Sequence, residues 1–253
     1  MYRGLEVGAV LPARDEEAAV GLVVSDLRAL RGDGGGPLLS EIVVCDNGST
    51  DATAEVAESA GARVVREERR GYGWACLAGI RALRPEVGVV LFVDADRSVV
   101  PGEGLALLDA LAAGADLAVG SRVAERLEPG SLPPHQRFGN HLAAFLIRRL
   151  WGHPTTDLGP FRAIRREVLD RLVMSEVTFG WTIEMQVKAI RAGLRVVEVP
   201  VSLRQRVGVS KISGTVRGTV GSAWKILSTI ARLRLAGNAP HSASAPDIPC
   251  LRR

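Results

Sequence analysis

The sequence predicts an α/β protein built on a mainly parallel central sheet that is sandwiched by helices. Strand-like and helix-like segments alternate from residue 6 to residue 120, which is typical of parallel strands joined by covering helices. One strand, at residues 87–93, is a nearly unbroken apolar run that ends directly at Asp94 and Asp96. Such a run indicates a strand that is buried on both faces, as the strands of a parallel sheet are.

The elements of the first half follow in regular order. After a strand at 7–12 we expect a helix at about 15–30, whose acidic first turn complements the helix dipole. After a strand at 41–45, Ser49 or Thr50 is a natural N-cap for a helix that runs to Gly61. The remaining elements are a strand at 62–65, a helix from about 72 to 83, the strand at 87–93, a helix at 103–113 and a strand at 116–119.

The alternation stops after residue 120, which predicts a second half of different construction. An apolar helix at 138–151 precedes a loop and strand at 155–165, and residues 205–214 form a basic loop with glycines and serines. The other predicted elements are helices at 166–174 and 181–192, a strand at 195–199 and a helix from 216 to about 235.

Composition excludes several classes of protein. The net charge of +4 is too small to indicate nucleic-acid binding, and the 4% aromatic content argues against surfaces that stack bases. The three cysteines show no CxxC spacing, so a zinc site or a disulfide framework is not expected. The N-terminus lacks an apolar signal core, and no long uncharged apolar run occurs; these features predict a cytoplasmic protein.

Carboxylates follow three of the predicted strands. They are Asp15 with Glu16, then Asp46, then Asp94 with Asp96. Capping explains any one of these sites, but the carboxyl ends of parallel strands meet at one edge, where unpaired acids would repel each other. Hard oxygen ligands without cysteine or histidine suit Mg²⁺ or Mn²⁺, and a pair of carboxylates leaves coordination positions for phosphate oxygens. The pattern therefore favours a metal-diphosphate site.

Seven segments, taken in order, resemble family 2 glycosyltransferases, in particular the branch of polyprenyl-phosphate sugar synthases of the dolichol-phosphate mannose or glucose type. The ordered set is far more specific than any one member and spans residues 6–215. The segments are Pro12–Glu16, Asp46–Asp51, Arg70–Ala75, Asp94–Asp96, Gly120–Arg122, Asp157–Arg162 and Ser210–Thr215.

This resemblance implies a GT-A fold and a metal-dependent inverting transfer of a hexose from a UDP- or GDP-sugar to a polyprenyl phosphate. It implies one domain over 1–236, with a nucleotide-sugar half at about 6–120, an acceptor half at 121–215 and an amphipathic helix at 216–236; a disordered tail at 237–253 is expected. The implied nucleotide-sugar contacts are Pro12, Ala13, Asp15, Glu16, Asp46, Gly71, Gly73, Asp94, Ala95, Asp96, Arg206 and Lys211, with Asp94 and Asp96 binding the metal. The implied acceptor contacts are Arg122, Arg137 and Ser213.

The identity of the acceptor decides whether a general base is needed. A phosphate monoester is already largely anionic at pH 7 and needs none, whereas a hydroxyl needs one. Asp157 and Glu184 are the candidate bases, although Glu184 is equally a partner for Lys188 one turn on, and Lys211 is the candidate cation over the leaving diphosphate. The alternatives are transfer to a hydroxyl of a lipid, glycan or small molecule, a sugar-phosphate nucleotidyltransferase, and a nucleotide-binding module without turnover.

Two residues depart from the pattern of this branch, and one segment suggests membrane contact. Asp15 replaces the usual asparagine and places a charge against the nucleotide, while Arg97 follows the acid pair where glutamine or an apolar residue is common. In the 216–236 helix, basic residues flank an apolar stripe. We expect its first half to pack on the domain and its end to contact the inner face of the cell membrane peripherally.

Overall fold

The computed structural model describes residues 2–208 and 216–235 and contains one seven-stranded sheet with the order β3-β2-β1-β4-β6-β5-β7. The strands are β1 (Val7–Ala13), β2 (Leu39–Asp46), β3 (Arg63–Arg66), β4 (Val89–Phe92), β5 (Leu117–Leu127), β6 (Arg162–Arg165) and β7 (Val196–Leu203). The helices are α1 (Val20–Ala29), α2 (Thr53–Ser59), α3 (Tyr72–Ala82), α4 (Gly104–Ala112), α5 (Pro134–Trp151), α6 (Arg166–Leu172), α7 (Trp181–Arg191) and α8 (Val216–Leu235).

The sheet is mainly parallel, as the sequence predicts. Strands β1 to β4 pair in parallel, and so do β5 and β7, whereas β6 runs antiparallel between β4 and β5. All four residues of β4 are buried, as expected for an apolar strand at the centre of a sheet covered on both faces. The reversed strand β6, which belongs to the second half of the chain, interrupts the parallel order of the sheet.

Apolar side chains fill both faces of the sheet. Leu27 of α1 and Leu107 of α4 belong to the cluster on one face, and Ile80 of α3 and Trp181 of α7 belong to the cluster on the other. A third, smaller cluster joins α5, α7 and α8. The second half of the chain therefore adds a helical layer beside the sheet.

The predicted starts of α1 and α2 are too early, and α5 begins at Pro134, four residues before its predicted start. α1 begins at Val20, so residues 15–17 lie in a turn before the helix, and α2 begins at Thr53 without a side-chain N-cap. The reason is that Ser49 and Thr50 bond to the backbone and side chain of Asp15 instead of capping a helix. These polar residues tie the loop after β1 to the loop after β2.

The last turns of α8 pack partly on the domain, while Leu235 at its end is 86% exposed, so the expected membrane contact stays a prediction. Ile230 and Leu233 are buried in the cluster shared with α5 and α7, so the apolar side of these turns is already covered. No helix in the described ranges combines the length and hydropathy needed to cross a bilayer. Residue 236 and the tail expected at 237–253 lie outside the described residues.

Candidate active site

The loops after β1, β2 and β4 lie at one edge of the sheet. Ala13 pairs with Asp46 and Val10 pairs with Phe92 in parallel register, so the carboxyl ends of these strands point the same way. The predicted convergence of three acidic loops is therefore present in the fold. Pro12 and Ala13 form the last two residues of β1 at this edge.

Two of the predicted nucleotide contacts also hold these loops together. The backbone N–H of Thr50 donates to Asp15 Oδ1 over 2.7 Å, and Asp15 N–H donates to Ser49 Oγ over 2.9 Å. Asp46 is buried, and its Oδ1 accepts a 3.0 Å hydrogen bond from Ser49 N–H. One oxygen of each carboxylate is therefore used in building the edge on which a nucleotide would lie.

Asp94 and Asp96 follow β4, and neighbouring groups fix their positions. Tyr72 Oη donates to Asp94 Oδ1 over 3.1 Å, and Ser98 N–H donates to Asp96 Oδ1 over 3.0 Å. Burial, together with the charge of Asp96, raises the pKa of Asp94 to about 7. Ala95 between them is buried, which leaves the two carboxylates as the polar part of this turn.

The donor set fits a hard divalent cation that arrives with a phosphorylated ligand. Asp94 and Asp96 offer carboxylate oxygens, which Mg²⁺ and Mn²⁺ prefer. Among the described residues no group of three or more histidine, cysteine, aspartate or glutamate side chains is placed to hold a metal. Phosphate oxygens and water would have to supply the remaining ligands, as is usual for Mg²⁺.

Arg206 reaches this edge from the segment after β7. Its Nη2 lies 2.6 Å from Glu16 Oε1, and its Nη1 lies 3.4 Å from Asp96 Oδ2. The Nε of Arg206 is buried and has no hydrogen-bond partner within the part of the chain that the structure describes. A buried N–H of this kind is suited to an additional anionic acceptor, such as a phosphate oxygen. The guanidinium thus connects the loop after β1 with the acid pair.

The glycines at 71 and 73 are required by close packing. A Cβ atom at Gly71 would collide with the Val177 carbonyl oxygen, and one at Gly73 would collide with that of Glu176. Gly71 also has a φ of 150°, which side-chain-bearing residues rarely adopt. The structure therefore gives these two positions a packing role against the segment before α7.

A cavity of about 490 Å³ extends from the acid pair into the second half of the chain. Asp94, Asp96 and Arg206 lie at its polar end, and Arg122 from the second half of the chain also lines it. The walls farther in are largely apolar and come from α5, α7 and α8, from the segments before α5 and α7, and from the segment after α5. They include Leu132, Ala143, Leu158, Phe179, Ile183 and Ile226. One continuous space thus joins the candidate metal site to an apolar pocket.

Arg122 and Asp157 form a close ion pair at this cavity. Asp157 Oδ2 accepts a 2.8 Å hydrogen bond from Arg122 Nε and a 2.6 Å bond from the Arg122 backbone N–H. Burial raises the pKa of Asp157, but the hydrogen bonds and charge of Arg122 outweigh it and hold the pKa below its ordinary value. A carboxylate held in this state is a poor proton acceptor, so the general-base role is not supported for Asp157.

Glu184 holds a backbone turn and does not line the cavity. Its carboxylate accepts hydrogen bonds from Ser175 N–H at 3.0 Å and Glu176 N–H at 2.6 Å, and Lys188 Nζ lies 3.0 Å away. Thr182 and Ile183 on the same helix line the cavity instead. The predicted partnership with Lys188 is present, and the placement of Glu184 contradicts its expected role as a base.

Of the other predicted acceptor contacts, Arg137 belongs to the described residues and does not line this cavity. Arg137 is exposed on the outer face of α5 and is absent from the cavity wall, although its neighbour Gln136 lines it. Its orientation follows from helical geometry, because successive residues point about 100° apart. Lys211 and Ser213 lie outside the described residues.

Three residues of the site escaped the sequence prediction. Tyr72 orients Asp94, Asn140 Oδ1 accepts from Arg122 Nη2 at 3.3 Å, and Arg162 is fully buried and donates to the Thr182 carbonyl over 3.0 Å. Burial lowers the pKa of Arg162 to about 10. Tyr72 and Arg162 lie in two of the segments that carry the resemblance, Arg70–Ala75 and Asp157–Arg162, but the sequence analysis assigned them no role.

Comparison with known sequences gives consistent matches over most of the chain. A sequence model described as Glycosyl transferase family 2 matches residues 9–173. A dolichyl-phosphate hexose transferase of Haloferax volcanii is 33% identical over 236 residues, which cover 91% of this chain and 97% of that protein. A polyprenol monophosphomannose synthase of Mycolicibacterium smegmatis is 36% identical over 187 residues, which cover 69% of this chain and 71% of that protein.

Comparison with solved structures identifies the fold. A glucosyl-3-phosphoglycerate synthase of Mycobacterium tuberculosis, crystallised with Mn²⁺, UDP and glucosyl-3-phosphoglycerate, is similar with a TM-score of 0.71 and 21% identity. The match covers 91% of this chain and 80% of that chain. The expected GT-A fold is therefore confirmed, with the acid pair at the end of the fourth strand of its sheet.

Proposed function

The chain belongs to glycosyltransferase family 2, and on that premise we propose that it transfers a hexose from a UDP- or GDP-sugar to a polyprenyl phosphate with inversion at the anomeric carbon. The observation that carries this proposal is the single cavity that has the carboxylates of Asp94 and Asp96 at one end and apolar walls farther in. A nucleotide sugar needs the first of these features, and a lipid-linked acceptor needs the second.

The polar end of the cavity is suited to a diphosphate leaving group. When bound by Asp94 and Asp96, Mg²⁺ or Mn²⁺ would neutralise the charge that develops on the diphosphate. Arg206 lines the same end and has a buried Nε available for a further acceptor. Mn²⁺ and UDP are present together in the solved structure of the glucosyl-3-phosphoglycerate synthase described above, which has the same fold.

The acceptor side of the cavity favours an acceptor that needs no base. Asp157 is ion-paired with Arg122, and Glu184 accepts from backbone N–H groups away from the cavity. A phosphate monoester brings its own negative charge, so these engaged carboxylates are no obstacle to its attack on the anomeric carbon. The two relatives named above, a dolichyl-phosphate hexose transferase and a polyprenol monophosphomannose synthase, support the same acceptor class.

A polyprenyl acceptor would require the enzyme to work at a membrane surface, and the outer face of α5 is suited to that contact. Phe138 and Phe145 are 69% and 53% exposed on this helix, far more than is usual for phenylalanine. Arg137, Arg148 and Arg149 are also exposed, and the helix contains no acidic residue. We propose peripheral contact with an anionic cytoplasmic leaflet through this face.

The test is a donor and acceptor screen with purified protein. UDP-glucose, GDP-mannose and related nucleotide sugars are incubated with Mg²⁺ or Mn²⁺ and a polyprenyl phosphate, and lipid-linked sugar is measured by mass spectrometry. The matched control is the corresponding polyprenol, which carries a hydroxyl in place of the phosphate. Transfer to the phosphate alone supports the proposal, whereas transfer to the polyprenol or to neither acceptor would refute it.

A further inference from the structure

The position of Arg206 points to a further role for this residue, which rests on the proposed use of a metal and a nucleotide sugar. We propose that Arg206 serves as the counter-ion of Asp96 in the free enzyme and thereby makes binding of the metal depend on binding of the nucleotide diphosphate. In this scheme the guanidinium and the metal compete for the same carboxylate. The diphosphate resolves the competition because it attracts both cations.

The contacts of Arg206 place its positive charge where a metal would bind. Nη1 lies 3.4 Å from Asp96 Oδ2, while Oδ1 of the same carboxylate accepts the Ser98 N–H. Oδ2 is therefore the oxygen of Asp96 that faces a cation, and that cation is the guanidinium. The side chains of Arg206 and Asp96 are 28% and 14% exposed, so solvent screens their attraction only in part.

The backbone around Arg206 is fixed to the turn that carries the acid pair. Val207 N–H donates to the Asp96 carbonyl over 3.0 Å, and Arg204 N–H donates to the Ser98 carbonyl over 2.7 Å. These two bonds hold the segment on both sides of Arg206 against residues 96–98. The guanidinium is thus delivered to Asp96 by an ordered backbone and not by a chance surface contact.

A short movement of its side chain would let Arg206 exchange Asp96 for the diphosphate as a partner. Its Nη2 is paired with Glu16 at 2.6 Å, and its Nε is buried without a hydrogen-bond partner in the described part of the chain. Turning about the contact with Glu16 would carry Nη1 away from Asp96 and let N–H groups of the guanidinium donate to phosphate oxygens. Asp96 Oδ2 would then be open to the metal that the same phosphates ligate.

This arrangement predicts reciprocal coupling between the two ligands. If the diphosphate removes Arg206 from Asp96, it strengthens metal binding, and the metal must strengthen nucleotide binding by the same factor. Without a nucleotide the metal has to displace the guanidinium and lie close to its positive charge. Removing that charge should therefore strengthen binding of the metal alone and weaken the coupling.

The experiment measures bound Mn²⁺ directly by electron paramagnetic resonance at pH 8, with and without UDP or GDP. In the wild type we expect the better nucleotide to tighten Mn²⁺ binding by roughly 5- to 150-fold, the usual range for coupled sites. Arg206→Gln should bind Mn²⁺ alone more tightly than the wild type and should lose most of the enhancement. Arg206→Lys retains the charge and should remain closer to the wild type.

The control variant is Arg204→Gln, which removes a positive charge two residues away. Within the described residues Arg204 makes no ion pair with Asp96 or Glu16, so its loss should leave Mn²⁺ binding unchanged. Thermal unfolding of each variant verifies that the fold is retained. Equal or weaker binding of Mn²⁺ alone by folded Arg206→Gln would overturn this inference and leave the proposed function intact. Failure of the wild type to bind Mn²⁺ with either nucleotide would overturn both.

Discussion

The carboxylates on the donor and acceptor sides of the cavity differ in how well neighbouring groups compensate their negative charge. At the donor end, burial and a like-charged neighbour raise the pKa of Asp94, so its negative charge is poorly compensated by the protein. On the acceptor side, Arg122 holds the pKa of Asp157 below its ordinary value, and outside the cavity lining three hydrogen-bond donors and Lys188 surround Glu184. The negative charge at the donor end is therefore only partly compensated by the protein, whereas the carboxylates on the acceptor side are compensated by neighbouring cations and hydrogen-bond donors.

This difference shows how similar side chains acquire separate tasks in one site. An undercompensated carboxylate pair attracts a cation, whereas a carboxylate paired with arginine fixes the guanidinium in place. Arg122 lines the cavity and is held by Asp157, so its orientation is set before any ligand arrives. The contrast predicts that losing an acid at the donor end abolishes chemistry, while losing one at the acceptor end first reduces stability.

The largest expected effect concerns Asp96. We expect Asp96→Ala to lower the transfer rate by about 10³-fold or more, because the charge that develops on the diphosphate loses its metal. Turnover is measured with the donor identified in the screen, and Mn²⁺ binding is measured in parallel. Asp170→Ala is the matched control, since Asp170 is an exposed partner of Arg166 on α6. Turnover near that of the wild type in Asp96→Ala would refute the metal assignment.

The next effect should appear as a loss of stability. Asp157→Ala leaves the largely buried Arg122 guanidinium without its partner, and we expect the free energy of unfolding to fall by about 3–5 kcal/mol. Urea denaturation measures the change. The double variant Arg122→Met/Asp157→Leu removes both charges and should recover part of the loss. If Asp157→Ala were as stable as the wild type yet inactive, Asp157 would be acting on the acceptor directly.

The pH dependence of metal binding tests the donor end. Because the metal requires ionised Asp94, whose pKa is about 7, Mn²⁺ affinity should be constant above about pH 8 and fall roughly tenfold per unit well below pH 7. The stability of the metal-free protein should change in the opposite direction. Because the pKa of Asp94 in the folded state lies above its ordinary value, the free energy of unfolding falls as the pH rises through 7. Asp94→Asn should therefore stabilise the metal-free protein at pH 8 but hardly at pH 4. Isothermal titration and thermal unfolding measure the two trends.

The smallest effect is expected at Glu184. Glu184→Gln weakens the hydrogen bonds to the 175–176 turn, so stability should fall by about 1–3 kcal/mol while the transfer rate changes by less than about threefold. Glu167→Gln, an exposed acid on α6, serves as the control. A hundredfold loss of rate together with loss of the acidic limb of the pH profile would identify Glu184 as a base after all.

More of the donor end than of the acceptor end could be predicted from the sequence. Asp94 and Asp96 could be placed because an apolar run ending in acids defines both a buried strand and the edge at which it stops. The contact between Arg206 and Asp96 joins residues 110 positions apart, and no local periodicity encodes such a distance. Arg137 and Glu184 were misplaced because the direction of a helical side chain depends on which face the domain covers.

Helix ends were misplaced for a related physical reason. Ser49 and Thr50 have the chemistry of an N-cap, but the neighbouring loop offers Asp15 as a competing partner. The competition arises only when β1 and β2 lie side by side in the folded sheet. Local preference is therefore a good guide to where the strands lie and a weaker one to the turns between them.

The tight approach of Gly71 and Gly73 to the backbone at 176–177 has a consequence for building hybrid enzymes. Exchanging only the first 120 residues with those of a relative would place the turn with Gly71 and Gly73 and the backbone at 176–177 in chains of different origin. These two segments pack so closely that there is no room for a Cβ atom between them. A replacement turn with a side chain at either glycine would push against the Val177 or Glu176 carbonyl. Hybrids intended to combine one relative's sugar preference with another's lipid preference should therefore inherit residues 69–75 and 174–180 from the same parent.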